Sequence, residues 1–421
     1  MNKEKQTYFP TIDKVKQAAD TIKKVSAVTS LTPSFRYSEH FKANILFKRE
    51  DLQQVRSYKI RGAYNKISSL SLEQAKKGVV CASAGNHAQG VALSCKILHI
   101  KGTIYMPAPT PNQKLEQVKM FGGDYINIKL EGDTFDDAYH AAMVECEQLN
   151  KTFIHPFNDE KVIEGQATIG LEILEQTDVP IDYVFLAVGG GGLAAGLSTV
   201  FKQLSPNTKI IGIEPEGAPS MSLSIKNNKN TTLEHIEKFI DGAAVKRVGD
   251  LTFAICKENL HDMITVPEGK VCETILELYN KDAIVVEPAG ALSISALDFY
   301  AEDIKGKNVV CIVSGSNNDI TRTAESKERA LLYANLKHYF IIKFPQRAGA
   351  LKEFVVEILG ENDDITYFQY AKKTNRENGS AVVGIQLKSA SDLEPLVERM
   401  KAHKFYGDYL NDKPDLFQFL V

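Results

Sequence analysis

The sequence predicts an α/β protein built on two parallel-sheet subdomains, followed by a small C-terminal α+β domain of ferredoxin-like order. Three observations carry this expectation. From Asn44 to Val313, short runs that are apolar throughout alternate with helix-length segments, the pattern of parallel strands covered on both faces. Beyond a charged helix, TAESKERALLYANL (Thr323 to Leu336), the rhythm changes to strand-helix-strand-strand-helix-strand. A chain of 421 residues is also long for one core, so two or three domains are expected. The expected boundaries are 1–325 for the larger part, with a small subdomain at about 74–151 inserted in it. Residues 326–336 would link it to a C-terminal domain at 337–421.

Element by element, Asn44 to Phe47 reads as a strand. The face Ile60, Ala63, Tyr64, Ile67 and Leu70 reads as a helix at 3.6-residue spacing. Gly78 to Ser83 is strand-like, followed by a helix from Asn86 to Leu98. Then come a strand at Gly102 to Met106, a helix at Gln113 to Met120 and a short strand near Tyr125. Tyr183 to Val188, Lys209 to Ile213 and Asn308 to Val313 are further strands. In the C-terminal part, strands are expected at His338 to Phe344, Ile365 to Ala371, Ser380 to Leu387 and Phe417 to Val421. Helices are expected there at Gly349 to Leu359 and Asp392 to His403.

Composition narrows the function. Apolar residues at 43% and charged residues at 24% describe an ordinary globular protein. A net charge of −3 makes no electrostatic case for nucleic acid or an anionic membrane. No apolar run approaches the ~20 residues of a membrane helix. The start MNKEKQTYFP carries no secretory signal. The six cysteines form no CxxC and are expected as reduced, buried thiols of a cytoplasmic protein. The nine histidines show no metal spacing, so no metal is expected.

Open parallel sheets bind ligands beyond the carboxyl ends of their strands, so the residues after each strand are the candidates. Lys59, in SYKIRGAYN (Ser57 to Asn65), lies in the first turn of its helix. There the helix dipole favours a neutral amine, the form that condenses with aldehydes; a solvated surface charge is the alternative. In SAGNHAQG (Ser83 to Gly90) the helix start offers free N–H groups, with Ser83, Asn86 and His87 as further donors to a carboxylate. An ordinary capped helix with a packed His87 is equally compatible. VGGGGLAAG (Val188 to Gly196) bares successive backbone N–H groups to a phosphate. Gly189, Gly191 and Ala194 also fit a loose dinucleotide fingerprint, with Glu214 at the distance of a ribose-binding acid. Ser314, in VSGSNND (Val313 to Asp319), is a neutral hydroxyl that donates or accepts one hydrogen bond, or else part of a simple Ser-Gly turn.

As an ordered set, SYKIRGAYN, SAGNHAQG, GGGGL and SGSN resemble the fold-type II pyridoxal phosphate enzymes, the tryptophan synthase β-like superfamily, and within it the threonine dehydratases (threonine ammonia-lyases). The resemblance spans nearly the whole chain. It implies pyridoxal 5'-phosphate as cofactor, with Lys59 carrying its aldehyde and Asn86 hydrogen-bonding its 3-hydroxyl. It places the phosphate on Gly189, Gly190, Gly191, Gly192 and Leu193, and Ser314 at the pyridine nitrogen. Ser83, Asn86 and His87 would bind the substrate carboxylate, with Glu287 a weaker candidate for the cofactor's surroundings. The implied reaction is α,β-elimination from L-threonine, with L-serine secondary, to a 2-oxo acid and ammonia. Lys59 takes the Cα proton, and the hydroxyl of Ser314 leaves the ring a weak electron sink.

Similar serine racemases carry a second serine where this chain has Ala84, so racemisation is not expected. Their metal-binding acid corresponds to Ser220, which leaves only a monovalent cation near Glu214 to consider. FPQRAGAL (Phe344 to Leu351) resembles the first turn of ACT-like regulatory domains, with Ala348 in place of the commoner proline. A core followed by one such domain implies the biosynthetic form, inhibited by isoleucine, with valine a candidate activator and a homotetramer or homodimer as the assembly. A domain serving only oligomerisation is the alternative. Other readings are a serine dehydratase, a β-replacement enzyme or threonine synthase, an NAD-dependent oxidoreductase, and an amino-acid sensor with a silent core.

Overall fold

In a computed structural model, residues 8–370, 378–413 and 416–417 are described. The chain forms two compact units, Met1–Ile320 and Thr321–Val421. Among the described residues, the first unit holds two sheets. The larger runs β1 (Leu31–Pro33), β2 (Asn44–Arg49), β10 (Asn308–Val313), β7 (Tyr183–Ala187), β8 (Lys209–Pro215) and β9 (Asp262–Val266) in spatial order. The smaller runs β5 (Ile126–Leu130), β4 (Gly102–Met106), β3 (Val79–Ala82) and β6 (Thr152–Phe153). Every pairing is parallel except β1 with β2.

The central strands are apolar because both faces are covered. Val309 to Val313 and Val184 to Leu186 are fully buried, each such side chain contributing about 1.5–3 kcal/mol on burial. Three strands escape the sequence reading. β1 and β6 are too short to show a period, and β9 is a partly exposed edge without a continuous apolar run. β1 is the antiparallel edge and ends at Pro33, which could not donate to a further neighbour.

The helix carrying Lys59 runs Lys59–Ser68 and is wedged between Asn86–Leu98 and Glu160–Glu175. A Cβ on Gly165 would stand 2.6 Å from the Arg61 carbonyl, so only glycine permits this approach. Arg61 is completely buried. Its guanidinium spans Glu50 (2.7 Å) and Glu172 (2.6 Å), and Lys48 donates to Glu172 at 2.6 Å. Two cations and two carboxylates thus neutralise one another where unpaired charge would be costly.

The second unit contains the helix Thr323–Tyr333 and a four-stranded antiparallel sheet. Its spatial order is β12 (Asp364–Tyr370), β13 (Asn378–Gln386), β11 (Lys337–Pro345) and β14 (Tyr406–Tyr409), with the helix Leu393–Ala402 before the last strand. This is the ferredoxin-like arrangement expected from the sequence. Two details differ. The first helix is an α-turn, Ala350–Glu353, continued by a π-helical stretch, Phe354–Ile358. The fourth strand of the sheet is Tyr406–Tyr409, which the sequence reading did not mark, and Phe417, the expected start of the last strand, is in a helical turn with its ring edge-on to Tyr339. Residues 418–421, like Ala371 at the expected end of β12, lie outside the described residues. The Thr323–Tyr333 helix is tied into this unit by Glu328, which accepts from Tyr339 Oη at 2.6 Å and pairs with Lys337.

Candidate active site

The turn before Lys59 is held against the exit of β10. Tyr58 N donates to the Ser314 carbonyl at 3.2 Å and Ser316 N to the Arg56 carbonyl at 2.9 Å. The Lys59 side chain, partly buried, donates from Nζ to the Pro156 carbonyl at 3.0 Å. Burial lowers its proton affinity to about 8, against the opposing pull of the Glu287 carboxylate. Roughly a tenth of the amine is therefore neutral at pH 7, far more than for an ordinary lysine.

After β3, SAGNHAQG opens the Asn86–Leu98 helix without a side-chain cap, leaving the first N–H groups for another acceptor. Gly90 allows this helix to press on the Lys59 turn: a Cβ there would be 3.2 Å from Lys59 C and O. Asn86 is engaged at both ends of its amide. Nδ2 donates to Glu287 Oε1 at 2.6 Å, and Oδ1 accepts from Asn317 Nδ2 at 2.7 Å. Ser83 Oγ accepts from Gly85 N at 3.3 Å and so shapes the turn. The His87 ring points away, into the core, where Nε2 meets the Ile154 carbonyl at 2.8 Å and burial depresses its proton affinity to about 3. That ring is a packed, neutral imidazole. The contribution of His87 at the helix start is its backbone N–H.

The glycine run follows β7 and starts the helix Gly192–Leu204, with Gly191 at φ +89. Added side chains here would fill a cradle. A Cβ on Gly190 would lie 2.1 Å from the Phe157 ring, and one on Gly189 3.0 Å from Ala243 Cα. Thr252 Oγ1 donates to the Gly190 carbonyl at 2.6 Å, fixing the loop from beneath. Leu193 is buried in the large core. Ser314 is buried at the end of β10, its Oγ within 3.3 Å of the Ala289 carbonyl. Glu287 precedes the helix Pro288–Ser295, and burial raises its carboxyl to about 7.

The structure thus brings Lys59, the Asn86 helix start and Ser314 to neighbouring strand exits through direct contacts, and joins the glycine run to them through the segment Ile154 to Asn158. That segment was not legible in advance. Pro156 receives the Lys59 amine, Phe157 packs on Gly190 and Gly192, and Asn158 Oδ1 accepts from Leu251 N at 2.9 Å. Ala243 and Asn317 were likewise missed as site residues. The aperiodic HPFND between β6 and a helix was the one available hint. Glu214 has a different job: its carboxylate accepts from Met221 N (2.6 Å), Ser222 N (2.8 Å) and Ser222 Oγ (2.6 Å). It secures the start of the helix Ser220–Lys226, and its oxygens are occupied with protein donors rather than with ribose. Among the described residues, no cluster of three or more His, Cys, Asp or Glu side chains is disposed to hold a metal, and no helix is long and apolar enough to cross a membrane.

A buried lysine of lowered proton affinity, a glycine cradle leading into a helix N-terminus, and a second uncapped helix start suit an aldehyde, a phosphate and a carboxylate respectively. The residues present therefore fit pyridoxal phosphate. Residues 22–315 match the family model of pyridoxal-phosphate dependent enzymes, and residues 328–420 that of the C-terminal regulatory domain of threonine dehydratase. The biosynthetic L-threonine dehydratase of Bacillus subtilis is 53% identical over 417 residues, covering 99% of each chain. Among solved structures, the processed form of threonine deaminase isoform 2 from Solanum lycopersicum is 41% identical with a TM-score of 0.71, covering 77% of this chain and 96% of its own. Maize serine racemase is 31% identical with a TM-score of 0.71, covering 77% and 99%. These matches replace the nicotinamide alternative, which rested on a loose glycine spacing: the chain belongs to the pyridoxal-phosphate dependent enzymes, in the family of the biosynthetic L-threonine dehydratases.

Proposed function

We propose that the chain is a threonine ammonia-lyase, converting L-threonine to 2-oxobutanoate and ammonia by α,β-elimination, with L-serine a poorer substrate. The observation that carries this reading is the Lys59 amine, lowered to about 8 and held on the Pro156 carbonyl beside the Asn86 helix start. The backbone of Gly189 to Gly192, leading into Leu193, would hold the cofactor phosphate, Asn86 Nδ2 its phenolic oxygen and Ser314 Oγ its ring nitrogen. Pyridoxal phosphate, when bound, supplies an electron sink for charge developing at the substrate Cα.

The remaining work falls to the protein. The turn of Ser83, Asn86 and His87 orients the substrate carboxylate, mainly through main-chain N–H groups, since the His87 ring is turned inward. Lys59, neutral once released, takes the Cα proton as general base. Ala84, at the position where the similar racemases carry a serine, offers no exchangeable proton. That favours elimination over racemisation, although the fold is shared with a serine racemase.

The match of residues 328–420 to a regulatory domain supports control by an effector, for which the proposal takes isoleucine as the inhibitor and valine as a candidate activator. One coupled assay tests the whole reading: 2-oxobutanoate should form from threonine, faster than pyruvate from serine, and isoleucine should suppress it. A protein that binds isoleucine but forms no 2-oxo acid would be a sensor, and the proposal would fail.

A further inference from the structure

Resting on the reading that Asn86 faces the cofactor's phenolic oxygen, we infer that Asn317 and Glu287 are positioning residues that lock the Asn86 amide in its donor orientation. An asparagine amide has nearly the same shape after a half-turn, yet only one orientation donates to an oxygen anion. What selects it must therefore be a partner whose own polarity cannot change.

That partner is the main-chain carbonyl of Val55, which can only accept. Asn317 Nδ2 donates to it at 2.8 Å, which fixes the Asn317 amide. The same Nδ2 donates to Asn86 Oδ1 at 2.7 Å, so the oxygen side of Asn86 is fixed in turn. The Asn86 nitrogen is then left facing Glu287 Oε1, which accepts from it at 2.6 Å. One of its two hydrogens is committed to Glu287 and the other is available. The relay branches at Asn317 Nδ2, which donates to Val55 on one side and to Asn86 on the other, and continues from Asn86 Nδ2 to Glu287. It also joins the two sheets: Asn86 follows β3 of the small sheet, whereas Asn317 follows β10 of the large one and Glu287 precedes the helix Pro288–Ser295.

The surroundings leave little slack. A Cβ on Gly315 would lie 2.4 Å from Glu287 Oε1, so the glycine of the SGSN turn is what lets the acid reach Asn86. Asn317 Oδ1 is buried and has no hydrogen-bond partner. The side chain thus leaves its acceptor unsatisfied while its nitrogen makes both bonds, an orientation to be expected only if those two bonds dominate.

The test measures binding of pyridoxal phosphate to the apo-protein by absorbance, at a pH above the Lys59 midpoint, rather than turnover. Asn317→Asp presents an acceptor to Asn86 and should turn its amide, weakening binding about tenfold or more. Asn317→Ala, which merely removes the lock, should weaken it less. A purely structural role predicts the reverse order, because alanine leaves the larger void. In an Asn86→Ala background, Asn317→Asp should have no further effect, whereas simple repulsion between the new carboxylate and the anionic cofactor would persist. Glu287→Gln keeps an acceptor oxygen and should bind nearly as wild type does, while Glu287→Ala should not; this pair decides the matter if Asn317→Asp fails to fold. Equal binding by wild type, Asn317→Asp and Glu287→Ala overturns the lock and leaves the proposed activity standing. A wild-type protein that takes up no pyridoxal phosphate overturns both.

Discussion

The Lys59 amine donates to the main-chain carbonyl of Pro156 at 3.0 Å, and the residue after Pro156 is the one on which the glycine run closes. One short stretch, Pro156-Phe157, therefore sets the distance between the amine and the glycine run. A lysine resting on a carbonyl also stays anchored in a defined place until a ligand draws it away.

Gly190→Ala should damage this relationship directly. Its methyl would stand 2.1 Å from the Phe157 ring, closer than real contacts allow. We expect overpacking to cost about 1–3 kcal/mol and to weaken cofactor uptake, because the loop must shift. The double variant Gly190→Ala/Phe157→Ala should recover part of the lost binding. Thermal unfolding and a pyridoxal phosphate titration read the two effects separately; a double variant no better than the single one would show that Phe157 is not the obstacle.

The contrast between Lys59 and Phe157 shows what a sequence displays and what it hides. Lys59, the glycines and Ser314 follow buried strands whose unbroken apolar runs are visible as such, and a residue at a strand exit inherits that visibility. Phe157 follows a two-residue strand and belongs to no period, so only the assembled structure brings it to Gly190. His87 shows a different limit. Its place at the helix start was readable, but the direction of its ring depends on the Ile154 carbonyl, 67 residues away. The strand Tyr406–Tyr409 of the C-terminal unit was missed because YGDY has no continuous apolar run.

Arg61 should matter for stability more than for chemistry. It is fully buried and bonded to Glu50, Glu172 and Thr168. Arg61→Met would leave Glu50 buried without its main counter-charge, a loss of about 3–5 kcal/mol. Arg61→Lys would restore the charge but not the fork that spans both carboxylates, and should recover only part. Chemical denaturation of both variants, with denaturant midpoints compared to wild type, checks this.

The pH dependence of Lys59 follows from its burial. With the amine lowered to about 8, the rate at which apo-protein condenses with pyridoxal phosphate should rise about tenfold per pH unit below that value and level off above it. Glu287 opposes the shift by favouring the ammonium form. Glu287→Gln should therefore move the midpoint downward. A midpoint near that of an ordinary lysine would contradict the buried amine.

Ala84→Ser tests the preference for elimination. A hydroxyl in this partly buried turn would add an exchangeable proton beside the substrate site. We expect a trace of D-serine, deuterated at Cα when the reaction is run in deuterium oxide, from the variant and none from the wild-type chain. Elimination should persist in the variant, because Lys59 is untouched.

Glu214 links stability to pH. Burial raises its carboxyl from the usual range to about 7, despite donors from Met221, Ser222 and Ser220. A carboxyl whose folded value lies above its unfolded one binds the proton more tightly when folded. Its contribution is complete below about pH 4.5 and is lost as pH rises through about 7. The displacement corresponds to roughly 3 kcal/mol at most. Other groups move the opposite way in the same window: the His155 imidazole is lowered to about 4 by burial and favours the folded state as pH rises. The absolute profile therefore mixes signs, and the informative quantity is the difference between wild type and Glu214→Gln. The glutamine cannot titrate but still offers one oxygen to the start of the Ser220–Lys226 helix. Relative to wild type, Glu214→Gln should be least stable in acid and should draw level, or gain, as pH rises toward about 8. Unfolding free energies measured across that range, with a difference that does not vary with pH, would place the Glu214 carboxyl back in the ordinary range.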